Sequence, residues 1–455
     1  MLRPRAIWTG LLTLFLVPET VAAHEIGGAQ FESPIPLQYL LVGAAVTVGV
    51  TALWLGWSGR PPADRWTPSL GTISTQTFGA VRTTGVLIFS VGVVNALLAG
   101  FFGPEAAAEN FAAAFVWGLW IKGIGLVAIV AGSPWSALSP WNNLHRALSW
   151  LEGEQLSWTQ YPTRFGVWPA VAGFVLVVGI AENLLGLSQR PKLTVGLVAL
   201  YAALMLLGAV GTGASWFERA DFLSVLYRTF GRVAPVAVER VDAGVQVSVR
   251  PPWRGCTRPV DRPGMVSFIV AVVYTVSFDG FTSTPGFQTL LFSARNSLGT
   301  GTATTLLLYL LGLLIFLAVF FITATLSDAF GGESKGPAQA FAPTVIPIAA
   351  AYEFAHYYPF VAGTASRTIE MVGSLFGIPM DVSVLGWLSI PAFWASQLAL
   401  IVGGHVIAVV AAHGVALDRY RTKSAARRGH LPLVVLMIGY TVLSLWIVSR
   451  PVVSG

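Results

Sequence analysis

The sequence predicts an all-α fold, a polytopic membrane helix bundle with about ten transmembrane helices after a signal peptide and one small cytoplasmic insert. Two observations predict this fold. Hydrophobic residues make up 55% of the chain and charged residues only 11%, whereas soluble proteins carry about 25% charged residues. The apolar residues also form runs near the ~20 residues that a helix needs to cross a bilayer. The predicted partner is therefore a lipid bilayer, and nucleic-acid binding is not expected.

Residues 1–23 are typical of a secretory signal peptide. Arg3 and Arg5 precede an apolar stretch at 8–17, and Val-Ala-Ala at 21–23 offers a small-residue cleavage site. Cleavage there would make His24 the first residue of the mature chain. The alternative is an uncleaved first anchor, although its apolar stretch is short for a membrane span.

Ten apolar runs of spanning length follow the signal peptide. The predicted organisation places membrane helices 1–5 in residues 24–214, a cytoplasmic insert in 215–263, and membrane helices 6–10 in 264–455. The runs lie at 37–58, 82–102, 111–132, 165–187, 193–214, 265–282, 303–327, 341–362, 386–412 and 431–449.

The loops between these runs carry very unequal numbers of basic residues. If His24 lies outside the cell, the odd-numbered loops are cytoplasmic, and they hold 19 Lys and Arg residues against five in the outer segments. Basic residues accumulate on the cytoplasmic side of membrane proteins. The sequence therefore predicts a multi-pass protein of the cell membrane with both mature termini outside.

Two cytoplasmic segments have patterns of their own. Within the insert, 216–232 predicts an amphipathic helix at the membrane interface, and the alternation on both sides of 242–244 predicts a short β-hairpin. The arginines of the insert are expected to contact anionic lipid headgroups. In the preceding cytoplasmic loop, Ser-Pro-Trp occurs at 133–135 and again at 139–141, which indicates tryptophans that anchor the loop at the interface.

Several ionisable residues fall inside predicted spans. A charged side chain in the bilayer interior costs roughly 3 kcal/mol or more and is seldom present without a role. Lys122, in the middle of the third span, needs an acidic partner, and the candidates are Glu182, Asp279 and Glu353. The alternative to a functional site is a structural ion pair that fixes the packing of two helices.

Glu353 and His356 lie three residues apart in AAYEFAHYYPF and therefore share one helix face. A Glu-x-x-His pair is half of the ligand set of di-iron bundles, but the chain has no second such pair, which excludes a di-iron centre. A site for one divalent metal ion remains open, with Asp279, Glu182 or His405 as a further ligand. A proton-relay pair and a structural network are the alternatives.

A second metal site is conceivable at the mature N-terminus, where the amine and imidazole of His24 suit Cu(II). The single cysteine, Cys256, excludes an intrachain disulfide and a thiolate cluster. The sequence also lacks G-x-S-x-G, the P-loop, the dinucleotide fingerprint and H-E-x-x-H. Any chemistry must therefore be assembled from the membrane spans.

A family resemblance is carried by six segments: AHEIGGAQFESPIPLQYLLVGAA, SALSPWNNLHRAL, WFERADFLSVLYRTFGRVAPV, VSFDGFTSTP, IPIAAAYEFAHYYPF and GGHVIAVVAAHGVALDRYR. Over essentially its whole length the chain resembles the actinobacterial and haloarchaeal membrane proteins named fenitrothion hydrolase. The resemblance implies hydrolysis of an organophosphate triester. For that reaction, Asp279, Glu353 or His356 would activate water, directly or through a metal, and Lys122 would stabilise the phosphoryl oxygen.

Three functions remain open at this stage. The first is a membrane-embedded hydrolase. The second is a transporter or channel for a metal ion, a proton or a small solute, for which buried charges in several spans are typical. The third is a copper-handling or assembly accessory protein. Convergence of Lys122, Asp279, Glu353 and His356 in one pocket favours a hydrolase or metal site, whereas a polar track onward through Gln397 and His405 favours transport.

Overall fold

The computed structural model describes residues 36–59, 67–242, 244–301, 303–332 and 336–449. The predicted signal peptide and His24 lie outside the described residues. Three short strands accompany the helices in the described part: β1 (Ser69–Ile73), β2 (Val236–Val241) and β3 (Gly244–Val249). The helices are α1 (Leu37–Ser58), α2 (Thr75–Phe102), α3 (Phe111–Ala131), α4 (Trp135–Leu138), α5 (Pro140–Glu152), α6 (Trp168–Glu182), α7 (Pro191–Thr212), α8 (Ser215–Arg219), α9 (Phe222–Phe230), α10 (Met265–Thr282), α11 (Pro285–Leu298), α12 (Ala303–Gly331), α13 (Pro337–Phe341), α14 (Ile346–Leu375), α15 (Ile390–Arg419) and α16 (Lys423–Val448).

The prediction of an all-α polytopic bundle is confirmed. Within the described residues, eight helices are long and apolar enough to cross a membrane: α1, α2, α3, α7, α10, α12, α15 and α16. The other two predicted spans correspond to α6, which is apolar but short, and to α14, which carries several ionisable residues. Short 3₁₀ turns join the helices at Ala107–Glu109, Thr163–Phe165, Leu187–Gln189, Arg254–Cys256 and Ala342–Val345.

Capping residues set several helix ends that hydropathy places wrongly. The Ser74 hydroxyl accepts a hydrogen bond of 3.0 Å from the backbone N–H of Thr77, so α2 begins seven residues before its apolar run. Thr284 caps α11 in the same way, a helix that the sequence analysis missed. Gly59 ends α1 in the left-handed conformation, at φ 55°.

The predicted hairpin is confirmed, and it belongs to a larger sheet. Strands β2 and β3 pair antiparallel, and β1, from the loop between α1 and α2, pairs with the other edge of β3. The sequence analysis missed β1 because all five of its residues are exposed and carry no alternating pattern. Gly244 permits this pairing, since a Cβ there would collide with the carbonyl oxygen of Ile73. We call this end of the bundle the sheet end.

The predicted amphipathic segment is present, but it is divided into two helices and its apolar face packs inside the protein. The segment forms two helices, α8 and α9, and α9 lies in the protein core, with its hydroxyl-bearing Tyr227 donating to the carbonyls of Trp120 and Ile121 at 3.1 Å. The exposed side of the segment carries Glu218 and Arg228, whereas the buried Asp221 lies at the break between the two helices. The buried residues of α9 are Phe222, Leu223, Val225, Leu226, Tyr227, Thr229 and Phe230.

The Ser-Pro-Trp repeat is also not an interface anchor. Trp135 and Trp141 are 1% and 2% exposed, and both indole N–H groups donate to Oδ2 of Asp221, at 2.8 and 3.0 Å. Oδ1 of the same carboxylate accepts from the Tyr201 hydroxyl at 2.9 Å and from the backbone N–H of Leu223 at 3.0 Å. Burial raises the pKa of Asp221, and these donors oppose the rise. The repeat therefore places two donors on one buried acid.

Candidate functional site

Lys122 lies between two carboxylates that come from different helices. Its Nζ is 3.3 Å from Oε1 of Glu182 on α6 and 3.8 Å from Oε1 of Glu353 on α14. The three side chains are only 4–7% exposed. The expectation that Lys122 has acidic partners is confirmed, and two of the three candidates contact it directly.

The helices that carry Lys122 and Glu182 each contain a π-helical stretch. Lys122 lies in a π-helical stretch of α3, Ala114–Gly123, and Glu182 ends another in α6, Val175–Glu182. A π-helical turn is rare, and it occurs often at functional sites because it widens the helix and redirects side chains. No feature of the sequence analysis indicated these turns.

A second pair adjoins the first. His356 Nε2 is 3.2 Å from Oδ2 of Asp279 on α10, and the hydroxyl of Tyr357 donates to the same oxygen at 2.6 Å. The side chains of His356 and Asp279 are 38% and 21% exposed. This half of the site is therefore accessible, whereas the half around Lys122 is enclosed.

Tyr357 connects the two halves. Its ring lies under the Lys122 ammonium, with Nζ 3.9 Å from the ring centroid, which is the geometry of a cation–π contact. The sequence analysis missed Tyr357, although a signal was present. Residues 353, 356 and 357 are spaced i, i+3 and i+4 and so occupy one helix face.

A small cavity with a volume of about 10 Å³ adjoins Lys122, Asp279 and Glu353. This is roughly the space that one water molecule requires. Oε2 of Glu182 is buried and has no hydrogen-bond partner among the described residues. The polar side chains around the cavity are Lys122, Asn183, Thr275, Asp279, Glu353 and Tyr357.

The predicted metal site is not assembled. The described residues contain no group of three or more His, Cys, Asp or Glu side chains placed to hold a metal ion. Glu353 faces the Lys122 ammonium, which takes the position that a cation would occupy, and His356 faces Asp279. The described residues therefore give no support to the prediction of a divalent metal ion held by Glu353 and His356. The prediction of copper at His24 lies outside the described residues and stays a prediction.

His405 is not part of the cluster. Its Nδ1 donates to the carbonyl of Ile401, one turn earlier in α15, at 2.8 Å. Gln397 contacts the backbone of the helix that carries Glu353 and His356, since its Nε2 donates to the carbonyl of Ala355 on α14 at 2.5 Å. Among the described residues, the hydrogen bonds of Gln397 and His405 therefore do not form a polar track onward from the cluster.

Comparison of the chain with protein-family models, with curated proteins and with solved structures finds no match. What the site does must therefore be inferred from its own geometry and charge. Both features point to a group of ionisable side chains that interact with one another inside the membrane-spanning part of the protein.

Proposed function

We propose that the protein is a membrane transporter for protons, in which the cluster of Lys122, Glu182, Asp279, Glu353 and His356 binds and releases the transported protons. The groups converge and no polar track on to His405 is seen among the described residues, which by itself favours a hydrolase or metal site; the imbalance of charge in the cluster is the observation that supports proton transport instead. Three carboxylates surround a single lysine and a single histidine.

The excess of negative charge in the cluster must be balanced by bound protons. With Lys122 charged, His356 neutral and all three carboxylates ionised, the cluster carries two net negative charges; protonation of His356 leaves one. Net charge away from water is costly. Relative to the first of these states, the cluster is neutral only when it holds two additional protons, and groups that share protons in this way can exchange them.

Access to these protons is one-sided in this conformation. His356 and Asp279 are the exposed members, whereas Lys122, Glu182 and Glu353 are enclosed by helices. A proton taken up at His356 can therefore reach the enclosed carboxylates only through the protein. That arrangement suits a carrier in which proton binding is tied to a change of conformation better than it suits an open channel.

The proposed location is the cell membrane, with the sheet end in the cytoplasm and both mature termini outside. The distribution of 19 against five basic residues supports this orientation. The cluster would then face the outer side through His356.

Proton movement can be measured in liposomes that contain the purified full-length protein. A potassium-diffusion potential drives proton entry, and an enclosed pH-sensitive dye reports it. We expect proton entry with the wild type and at least about tenfold slower entry with Glu353→Gln. Glu105→Gln is the matched control, because Glu105 pairs with Lys192 at 2.6 Å on an exposed surface. Equal rates for wild type and Glu353→Gln would refute the proposal.

A second candidate function is hydrolysis of a lipophilic organophosphate triester. The observation in its favour is the hydrogen-bonded pair of Asp279 and His356 on the accessible side of the cluster, together with the family resemblance. Because Nε2 of His356 faces the carboxylate, Nδ1 is left to accept a proton from water. The water oxygen would form a bond to phosphorus, the bond from phosphorus to the aryl oxygen would break, and the aryloxide would leave.

Release of a nitrophenolate from a nitrophenyl phosphotriester measures this activity directly. We expect His356→Ala and Asp279→Asn to reduce the rate by about 10²-fold or more, the usual loss on removal of a general base. Glu105→Gln serves again as the control. Release at the same rate from wild type and both variants would exclude the pair from the reaction.

A further inference from the structure

Tyr357 contacts both halves of the cluster through different parts of one side chain. Its hydroxyl donates to Asp279 at 2.6 Å, its ring lies 3.9 Å from the Lys122 ammonium, and it borders the small cavity together with Glu353. The side chain is 4% exposed. It therefore lies against both the accessible pair and the enclosed ion pair.

We infer that Tyr357 transfers protons between the accessible and the enclosed halves of the cluster. This inference rests on the proposed proton exchange and adds its route. A proton that enters at His356 passes to the Asp279 carboxylate, which becomes a carboxylic acid beside the Tyr357 hydroxyl.

The transfer step conserves every proton. The acid O–H bond of Asp279 breaks as a new O–H bond forms on Oη of Tyr357. At the same time the original hydroxyl proton of Tyr357 leaves for a water molecule in the cavity, and that water gives a proton to the Glu353 carboxylate. Asp279 ends ionised, Glu353 ends neutral, and the tyrosine and the water are unchanged. The cavity of about 10 Å³ is large enough for this one water molecule.

Protonation of Glu353 changes the ion pair behind the tyrosine. A neutral Glu353 attracts the Lys122 ammonium less strongly, which leaves Glu182 as its main partner. The cation–π contact keeps the ring of Tyr357 in place during this change. The tyrosine thus links uptake of a proton at the accessible side to the strength of contact between α3 and α14.

The chain supplies a matched control in the next residue. Tyr358 is on the same helix, and its hydroxyl pairs with Ser396 on α15 at 2.7 Å, away from the cluster. Tyr357→Phe removes the transferring hydroxyl but retains the ring under Lys122. Tyr358→Phe removes a hydroxyl of the same kind that has no place in the route.

A rapid pH drop, followed by infrared difference spectroscopy on the purified full-length protein, tests the inference. The carboxylic acid C=O band of Glu353, identified by its loss in Glu353→Gln, reports arrival of the proton. We expect the band to rise about 100-fold more slowly in Tyr357→Phe than in wild type, and at the wild-type rate in Tyr358→Phe. If Tyr357→Phe proves unfolded by its melting curve, Asp279→Asn interrupts the route one step earlier and should show the same delay.

The possible outcomes separate the route from the function. An unchanged rate in Tyr357→Phe, or in Asp279→Asn if that variant is used, overturns the inference, as does a wild type without a pH-dependent Glu353 band. A delayed band in Tyr357→Phe, combined with no proton entry into liposomes by the wild type, retains the route and rejects transport. Proton entry by both wild type and Tyr357→Phe, with no delay of the band, retains transport and rejects the route.

Discussion

Replacement of Lys122 by methionine is the perturbation whose effect the structure defines best. The side chains of Lys122, Glu182 and Glu353 are 4–7% exposed, so the substitution leaves two enclosed carboxylates without their cation. Removal of one partner of a buried ion pair costs about 3–5 kcal/mol. We expect Lys122→Met to lower the free energy of unfolding by this amount at pH 7.

The loss of unfolding free energy in Lys122→Met has an upper limit that depends on pH. Each carboxylate that has lost the lysine can be neutralised by binding a proton. An ordinary glutamate titrates near pH 4.3, so that holding one neutral costs about 3.7 kcal/mol at pH 7 and about 1 kcal/mol at pH 5. With two carboxylates, the deficit of Lys122→Met should fall to about 2 kcal/mol or less at pH 5. The stability of the variant relative to wild type is therefore regained as pH falls and lost as pH rises.

Unfolding in mixed detergent micelles, followed by tryptophan fluorescence, measures both quantities. Lys192→Met is the control, since Lys192 forms an exposed pair with Glu105 and its loss should leave stability unchanged. The triple variant Lys122→Met, Glu182→Gln, Glu353→Gln should recover most of the stability at pH 7. A deficit of Lys122→Met that is the same at pH 5 and pH 7, or that the triple variant retains in full, would contradict this reasoning.

Three further predictions concern the packing around the site and the sheet end. Asp221→Asn replaces one acceptor oxygen by an NH₂ group, which then faces a buried N–H or O–H donor. We expect the free energy of unfolding to fall by about 1–3 kcal/mol in the same assay. An unchanged unfolding midpoint would refute this prediction. Burial raises the pKa of Cys256 to about 12, so at pH 8 its thiolate is roughly 10³-fold scarcer than that of an ordinary cysteine. Alkylation, read by mass spectrometry, should therefore require unfolding, and rapid labelling of the native protein would contradict the burial. Gly404→Ala should destabilise by about 1–3 kcal/mol, because its Cβ would meet Ala351 and lie 2.7 Å from the carbonyl oxygen of residue 347, whereas Gly403→Ala has open space and should be neutral.

The sequence was sufficient to predict the helices because bilayer thickness fixes the length of an apolar run. Boundaries were less certain, since a cap such as Ser74 extends a helix into polar residues that hydropathy excludes. Hydropathy did not predict which face of each span packs against neighbouring helices. A run that is apolar all round has no stripe to indicate which side meets a neighbour.

For the same reason, ionisable residues were found but their grouping was not. Lys122, Glu182, Asp279, Glu353 and His356 were identified as costly residues inside predicted spans, and the structure brings these five together. Their convergence depends on the rotation of four helices and on two π-helical stretches, neither of which a hydropathy pattern encodes.

Aromatic residues caused the remaining errors. Tyr357 resembles a lining residue of a span, although it touches both halves of the site. Trp135 and Trp141 suggested an interface because tryptophan is common there, whereas each has found a buried acceptor in Asp221. A buried indole N–H usually finds an acceptor, and a single sequence does not reveal which side chain supplies it.

The central claim is that the charge-imbalanced cluster exchanges protons across the protein, and proton entry into liposomes tests it most directly. Wild-type protein and Glu105→Gln should admit protons at the same rate under an imposed potential, and Glu353→Gln should admit them at least about tenfold more slowly. Equal rates for all three proteins, or no entry above that of protein-free liposomes, would contradict the claim.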